Sequence, residues 1–245
     1  MASTGSLSRT YSGIARIGAR NTHAPAICIF RRQFSTSPTN LLAEATSTAV
    51  PPRRKALTKE QRDFLSSALR VNQAGELAAT RIYTAQTPPI VNRYPHLRPL
   101  MAHMYEQEEG HLKTFNSLVH KHRVRPTALY PVWQLLSTGL GWSTAVMGRE
   151  AAMACTEAVE TEIGDHYNNQ IRTLLEMVSE WEAEGYEVGP EFTNLIKTLR
   201  RIRDEELEHL DHAVEHDAKK AEPHWLLTGV IRAGCRGAIW VSEKI

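Results

Sequence analysis

Two stretches of this 245-residue chain carry the same unusual order of polar side chains. Glu76, Tyr83 and Gln86 recur at identical spacing as Glu160, Tyr167 and Gln170. Each copy is followed by a Glu-x-x-His-Leu segment, first Glu108 to His111-Leu112 and then Glu206 to His209-Leu210. A Glu and a His three residues apart lie on one face of a helix, one turn apart. With 22 Glu and 11 His in the chain, chance alone supplies about one such pair, so the pairs mean little without the duplication. An acid also stands two residues before each pair, Glu106 and Asp204. A chain that offers one Glu and then one Glu-x-x-His, twice over, predicts two helical hairpins facing a shared interior. That is the ligand set of a di-iron or di-manganese carboxylate bundle.

The rest of the sequence supports helices. Thr58 with Gln61 three residues on is a capping box, and it opens a first helix over Thr58–Gln86 that Thr87-Pro88-Pro89 should end. A second helix is expected over Leu97–Lys121, a third over Thr144–Glu184 closed by Gly185, a fourth from Gly189-Pro190 to about Lys220, and a fifth from Pro223 to Trp240. No stretch alternates like a strand between turn signals.

The residue types suit the chemistry. Glu76, Glu108, Glu160 and Glu206 with His111 and His209 can hold two divalent cations and leave coordination positions open. Without metal charge, four carboxylates in one interior would repel and resist ionisation. Oxygen-rich ligation with two imidazoles and no thiolate favours iron or manganese over zinc. Other features read more plainly. Tyr83 is expected to be a core residue. Glu208, His212 and His216, spaced by four, read as a solvated face rather than a second metal row. Cys155 and Cys235 read as small buried groups. Gly139-x-Gly141 follows no strand and lacks a third glycine, so it is not a dinucleotide loop.

Charge divides the chain. Residues 1–40 hold five arginines and no acid, whereas the remaining 24 basic groups face all 27 acidic ones. A leader rich in Arg, Ser, Thr and Ala, without an apolar core, predicts a mitochondrial transit peptide over 1–40. Arg32 to Ser37 resembles a processing site, with cleavage expected between Phe34 and about Leu42. Residues 41–56 read as a linker and 57–245 as the folded domain. Since the basic excess lies outside the domain, nucleic acid is excluded as a partner.

Residues 126–148 contain no charged side chain. Pro131, Gly139 and Gly141 interrupt them, so they suit an element lying in one leaflet better than a membrane-spanning helix. Trp133 and Trp142 fit an interfacial depth, with Arg123, Arg125 and Arg149 beside acidic headgroups. The apolar segment from Trp225 to Trp240 is expected to share that surface.

Several long blocks are similar to one family. They include Arg70 to Glu76, Gln107 to Leu112, Arg123 to Thr127, Ala152 to Thr156, Val159-Glu160, His166 to Arg172, Arg203 to His209 and Ala233 to Arg236. Over roughly Leu65 to Ile245 the chain resembles the 5-demethoxyubiquinone hydroxylases of ubiquinone biosynthesis. The resemblance implies an all-α, ferritin-like four-helix bundle of two hairpins with extra membrane-interfacial helical segments. It implies two iron ions on Glu76, Glu108, His111, Glu160, Glu206 and His209, the set the repeat selects. It implies a monooxygenase that uses O2 to hydroxylate the ring of a polyprenyl benzoquinone. The enzyme would be peripheral on the matrix side of the mitochondrial inner membrane, with a lipid-binding partner subunit in a ubiquinone-synthesis complex, and a homo-oligomer is possible. The position of Tyr167 is linked in the family to electron delivery. NADH is a candidate reductant, although no motif for it is present. Two other readings use the same residues: a di-iron quinol oxidase that reduces O2 to water, and a non-catalytic quinone- or lipid-binding scaffold.

Overall fold

The computed structural model describes residues 53–245. The transit-peptide expectation for 1–40 and most of the linker therefore lie outside the described residues. Six helices follow one another: α1 (Lys59–Arg93), α2 (Arg98–Lys121), α3 (Tyr130–Met147), α4 (Arg149–Ala183), α5 (Pro190–Glu215) and α6 (His224–Lys244). Among the described residues there is no strand. α1 packs on α2 and α4 on α5, which gives the two expected hairpins. Between the hairpins the helices stand farther apart, and the buried side chains of the repeated Glu and Glu-x-x-His segments occupy that space. α3 lies along α1, and α6 leans on α4 and α1.

The first helix starts as its capping box requires. Thr58 Oγ1 accepts from the Gln61 backbone N–H at 3.2 Å, and Gln61 Oε1 accepts from the Thr58 N–H at 3.0 Å. It does not stop at Gln86. The helix runs through Pro88 and Pro89 to Arg93. Two prolines remove backbone donors and crowd the preceding turn. Burial offsets that cost: beyond the prolines, Ile90 and Val91 are buried in one cluster with Met101 and Met104. Tertiary burial thus overrides local propensity.

The expected third helix is two helices. Gly148, with φ +134°, separates α3 from α4, a conformation that glycine adopts without strain. Thr144 consequently belongs to α3. The fourth helix ends at Glu215 rather than near Lys220, because Asp217 turns left-handed (φ 74°). Ion pairs from Arg149 and Lys220 to Asp217 hold that turn, and a short 3-10 turn over Ala218–Lys220 follows. The fifth helix extends beyond Trp240 to Lys244.

The core has two main parts, on either side of these buried polar side chains. One gathers Leu69, Phe115, Tyr167, Leu174, Trp181 and Ile202; the other gathers Tyr83, Ile90, Met101, Met104 and Met153. Residues at the end of the expected linker are seated on the loop between α4 and α5. The Arg53 carbonyl accepts from Glu187 N–H, Lys55 pairs with Glu184, and the Arg53 guanidinium lies 4.8 Å from the Tyr186 ring centroid.

Candidate metal centre

The repeat delivers its six acidic and imidazole side chains to one interior. Glu76 comes from α1, Glu108 and His111 from α2, Glu160 from α4, and Glu206 and His209 from α5. None is more than 2 % exposed. They fall into two overlapping groups, Glu76–Glu108–His111–Glu206 and Glu108–Glu160–Glu206–His209, and the ligand atoms within each lie within 4.8 Å of one another. Glu108 and Glu206 are common to both groups, while Glu76 and Glu160 serve one each. Spacing alone could not tell these roles apart.

His111 Nδ1 stands 3.0 Å from Glu206 Oε1 and 3.4 Å from Glu76 Oε2, and His209 Nδ1 stands 3.1 Å from Glu108 Oε1 and 3.3 Å from Glu206 Oε2. None of these contacts is aligned as a hydrogen bond. Glu76 Oε2, Glu160 Oε2, both carboxylate oxygens of Glu108 and Glu206, and Nδ1 of both histidines are buried without a partner. Buried polar groups are normally satisfied. Eight orphaned atoms converging from four helices fit a pair of cations and little else.

Electrostatics agree. Burial, with the Glu206 charge adding to it, raises the Glu76 carboxyl above its usual range. Burial and the charges of Glu206 and Glu108 hold Glu160 well above its own. Burial alone would lower both imidazoles, but the surrounding carboxylates outweigh it. Glu108, Glu206 and Glu76 raise His111, and Glu108 and Glu206 push His209 up to about 11. Protons therefore take the place of positive charge here, and divalent cations would displace them.

The outward nitrogens are fixed as well. His111 Nε2 donates to Glu205 Oε2 at 2.6 Å, and Arg201 clamps that carboxylate at 2.6 and 2.8 Å. His209 Nε2 donates to Gln107 Oε1 at 2.8 Å. Each bond turns Nδ1 inward, so that a cation displacing its proton would meet the lone pair, the arrangement that orients metal-binding imidazoles.

A cavity of about 340 Å³ reaches this centre. Its inner end meets Glu76, His166 and Tyr167, and its outer end lies between Leu136 of α3 and Val230 of α6, both exposed. Between them the walls are almost wholly apolar, with Ile82, Leu140, Val159 and Ile163 among the lining residues. Burial lowers the His166 imidazole to about 4, so it is neutral at ordinary pH.

With this geometry in place, residues 63–242 match the family model described as "Ubiquinone biosynthesis protein COQ7". The chain belongs to the COQ7 family. It is 45% identical over 196 residues to the "5-demethoxyubiquinone hydroxylase, mitochondrial" of Saccharomyces cerevisiae, covering 79% of this chain and 84% of the relative. It is 42% identical to the human "NADPH-dependent 3-demethoxyubiquinone 3-hydroxylase, mitochondrial", covering 84% and 90%. A bacterial relative, the "3-demethoxyubiquinol 3-hydroxylase" of Rhodospirillum rubrum, is 41% identical over 72% of this chain and 76% of its own length. The human relative's name specifies NADPH where the resemblance suggested NADH.

Within this COQ7-family chain all six predicted ligand residues meet in one place, and Tyr167 stands beside them. The Tyr167 hydroxyl donates to Glu76 Oε1. Tyr83 is buried as a core residue should be, but its hydroxyl also donates to Glu160 Oε1 at 3.1 Å. The repeated glutamines have diverged. Gln170 exchanges hydrogen bonds with Asn72 at 2.8 and 2.9 Å, whereas Gln86 reaches Thr144 and the Ala152 carbonyl. The repeated acids Glu106 and Asp204 are exposed and take no part. Glu205 and Gln107 take the outer role instead, and their sequence signal was only adjacency to Glu206 and Glu108. His216 is turned back onto the His212 carbonyl at 2.8 Å. Trp133 lines the cavity rather than the outer surface, while Trp142 is exposed as expected.

Proposed function

We propose that this chain hydroxylates the ring of a demethoxyubiquinone in ubiquinone biosynthesis, using O2 at a two-iron centre. The observation that carries this reading is an apolar cavity ending on a buried cluster of orphaned carboxylates and imidazoles. Its relatives are named demethoxyubiquinone or demethoxyubiquinol hydroxylases. When bound, two iron ions would activate O2, with one oxygen atom passing to the ring and the other leaving as water. Glu76, Glu108, His111 and Glu206 would hold one ion and Glu108, Glu160, Glu206 and His209 the other, with Glu108 and Glu206 common to both groups.

The protein's own contribution is placement, exclusion of water and control of protons. Apolar walls would admit the quinone head group and leave its prenyl tail toward the mouth. The neutral His166 imidazole can hydrogen-bond a quinone oxygen without introducing charge. Burial, together with the Glu76 charge, holds the Tyr167 phenol well above its ordinary pKa, so it keeps its proton. Its hydroxyl then links the cavity to Glu76, which is the place for a residue in electron or proton delivery. The reductant would be a nicotinamide nucleotide, as the human relative's name indicates for that protein.

The mouth suits a membrane surface. No described helix is long and apolar enough to cross a membrane. Yet α3 buries small and polar residues, Ser137, Gly141, Thr144 and Ala145, and exposes Leu135, Trp142, Val146 and Met147. On α6, Trp225, Leu226, Val230 and Trp240 are exposed. Helices with their larger apolar side chains turned outward seek an apolar phase or a partner surface. The inner mitochondrial membrane on its matrix side, with a lipid-binding partner subunit, would supply both. Flotation with cardiolipin-containing vesicles tests this: binding should fall when Leu135, Trp142, Trp225 and Trp240 are changed to Ser.

The activity is tested by supplying iron-loaded protein with a short-tailed demethoxyquinone, reductant and O2. A product one oxygen atom heavier supports the hydroxylase. Uptake of O2 with an unchanged quinone would mark a quinol oxidase, and no substrate-dependent uptake would mark a scaffold.

A further inference from the structure

A second cluster of metal-ligating side chains lies on the surface where α2 and α5 adjoin. His103 of α2 and Glu208 and His212 of α5 offer ligand atoms that all lie within 4.8 Å of one another. His212 Nε2 stands 3.7 Å from Glu208 Oε1, and His103 Nε2 stands 3.9 Å from the same oxygen. Both separations are too long for hydrogen bonds. Two ligands on one tetrahedral ion, with bonds of about 2.0 Å, stand roughly 3.3 Å apart. The two imidazoles thus converge on a single carboxylate oxygen at nearly the spacing that a shared cation sets.

The surroundings favour the same assignment. Glu208 Oε2 accepts from Gln107 Nε2 at 3.4 Å, which turns Oε1 toward the imidazoles. A solvated ion pair would need none of this, since exposed pairs gain little and their side chains spread freely. The fourth corner faces solvent, where water can complete the coordination.

We propose that His103, Glu208 and His212 form a peripheral metal site, separate from the buried centre, that takes a borderline divalent cation of the zinc class. Two imidazoles and one carboxylate suit zinc, nickel or copper better than magnesium or calcium. All three side chains are partly exposed, so an ion can reach them without opening the bundle. The site adjoins the buried centre through Gln107, which accepts from His209, and the two must therefore be distinguished by difference.

Equilibrium dialysis of the metal-free full chain against Zn2+, followed by elemental analysis, tests the site. His103→Ala/His212→Ala should hold one zinc ion fewer per chain than the unaltered protein. Glu208→Gln, which keeps the side-chain size, should lose the same ion. His216→Ala should lose none, and circular dichroism should show unchanged helix in all three. Glu76→Gln/Glu160→Gln should lose zinc from the buried centre but keep the ion that the histidine variant lacks. An equal zinc count in the histidine variant and the unaltered protein would overturn the proposal, as would loss of that ion in His216→Ala.

Discussion

The Tyr83 hydroxyl donates a 3.1 Å hydrogen bond to Glu160 Oε1, and Tyr167, its counterpart in the other repeat, donates to Glu76 Oε1. Each hairpin thus supplies the donor for the carboxylate that the other hairpin places in only one of the two groups. Both tyrosines are buried beside carboxylates, which keeps their phenols protonated. Removing one donor leaves a buried carboxylate oxygen short of a partner, at a cost of about 1–3 kcal/mol. Tyr83→Phe is expected to lower the thermal midpoint by several degrees while leaving metal content intact, as checked by calorimetry and elemental analysis. Tyr167→Phe should do the same and also slow turnover, because that hydroxyl borders the cavity.

The bonds behind the two histidines predict graded losses of metal. Glu205→Ala removes the acceptor of His111 Nε2–H, and Gln107→Ala removes that of His209. Losing such a partner typically weakens metal affinity about 10–100-fold. Competition with a chromophoric chelator should show that weakening in both variants. The larger effect is expected for Glu205→Ala, where a clamped carboxylate rather than a neutral amide is lost.

Removing the metal should destabilise the fold. Four carboxylates share one interior, and each cation held there at 100 times its dissociation constant stabilises the native state by about 2.7 kcal/mol. For a domain of this size that corresponds to a midpoint shift of roughly 5–10 °C per ion. Scanning calorimetry before and after exhaustive chelation reads it directly. Identical midpoints would mean that the orphaned atoms do not bind metal.

His166 sets a pH dependence with a definite sign. Burial lowers its native pKa from 6.5 to about 4. As pH falls through that window the unfolded chain takes up the proton first, so stability declines from pH 6.5 toward 4. The contribution is at most roughly 3 kcal/mol. His166→Phe should flatten the denaturation midpoint across that range, and chemical denaturation at several pH values tests it.

Gly141 marks where α3 meets α1. A Cβ there would lie 2.5 Å from the Ile82 carbonyl oxygen and 2.8 Å from its Cα, both backbone atoms that cannot swing away. Gly141→Ala should therefore cost about 1–3 kcal/mol. A Cβ at Gly139 meets nothing within 4 Å, and Gly139→Ala should be neutral or stabilising by about 0.5–1 kcal/mol. Comparing the two midpoints separates packing from helix propensity.

The buried cluster of six side chains was legible because a duplicated Glu and Glu-x-x-His can face one interior only if four helices surround it. The helix ends were less so. Pro88 and Pro89 are strong local stop signals, yet Ile90 and Val91 gain enough by burial to carry the helix past them. Gly148 divides α3 from α4 through a positive φ that its neighbours do not announce. The outer partners were hidden for a different reason. Glu205 and Gln107 reach the histidines across the bundle, at separations of 94 and 102 residues, and no local pattern encodes such a meeting. Which carboxylates are shared between the two groups also depends on the spacing of the hairpins, which a linear motif does not contain.

The most direct measurement of the central claim is the mass of the quinone after one round of turnover under isotopically heavy O2, with iron-loaded protein and NADPH. The account predicts a product heavier by one labelled oxygen atom, formed by the unaltered chain and absent with Glu206→Ala. An unlabelled product, or full hydroxylation by Glu206→Ala, would contradict it.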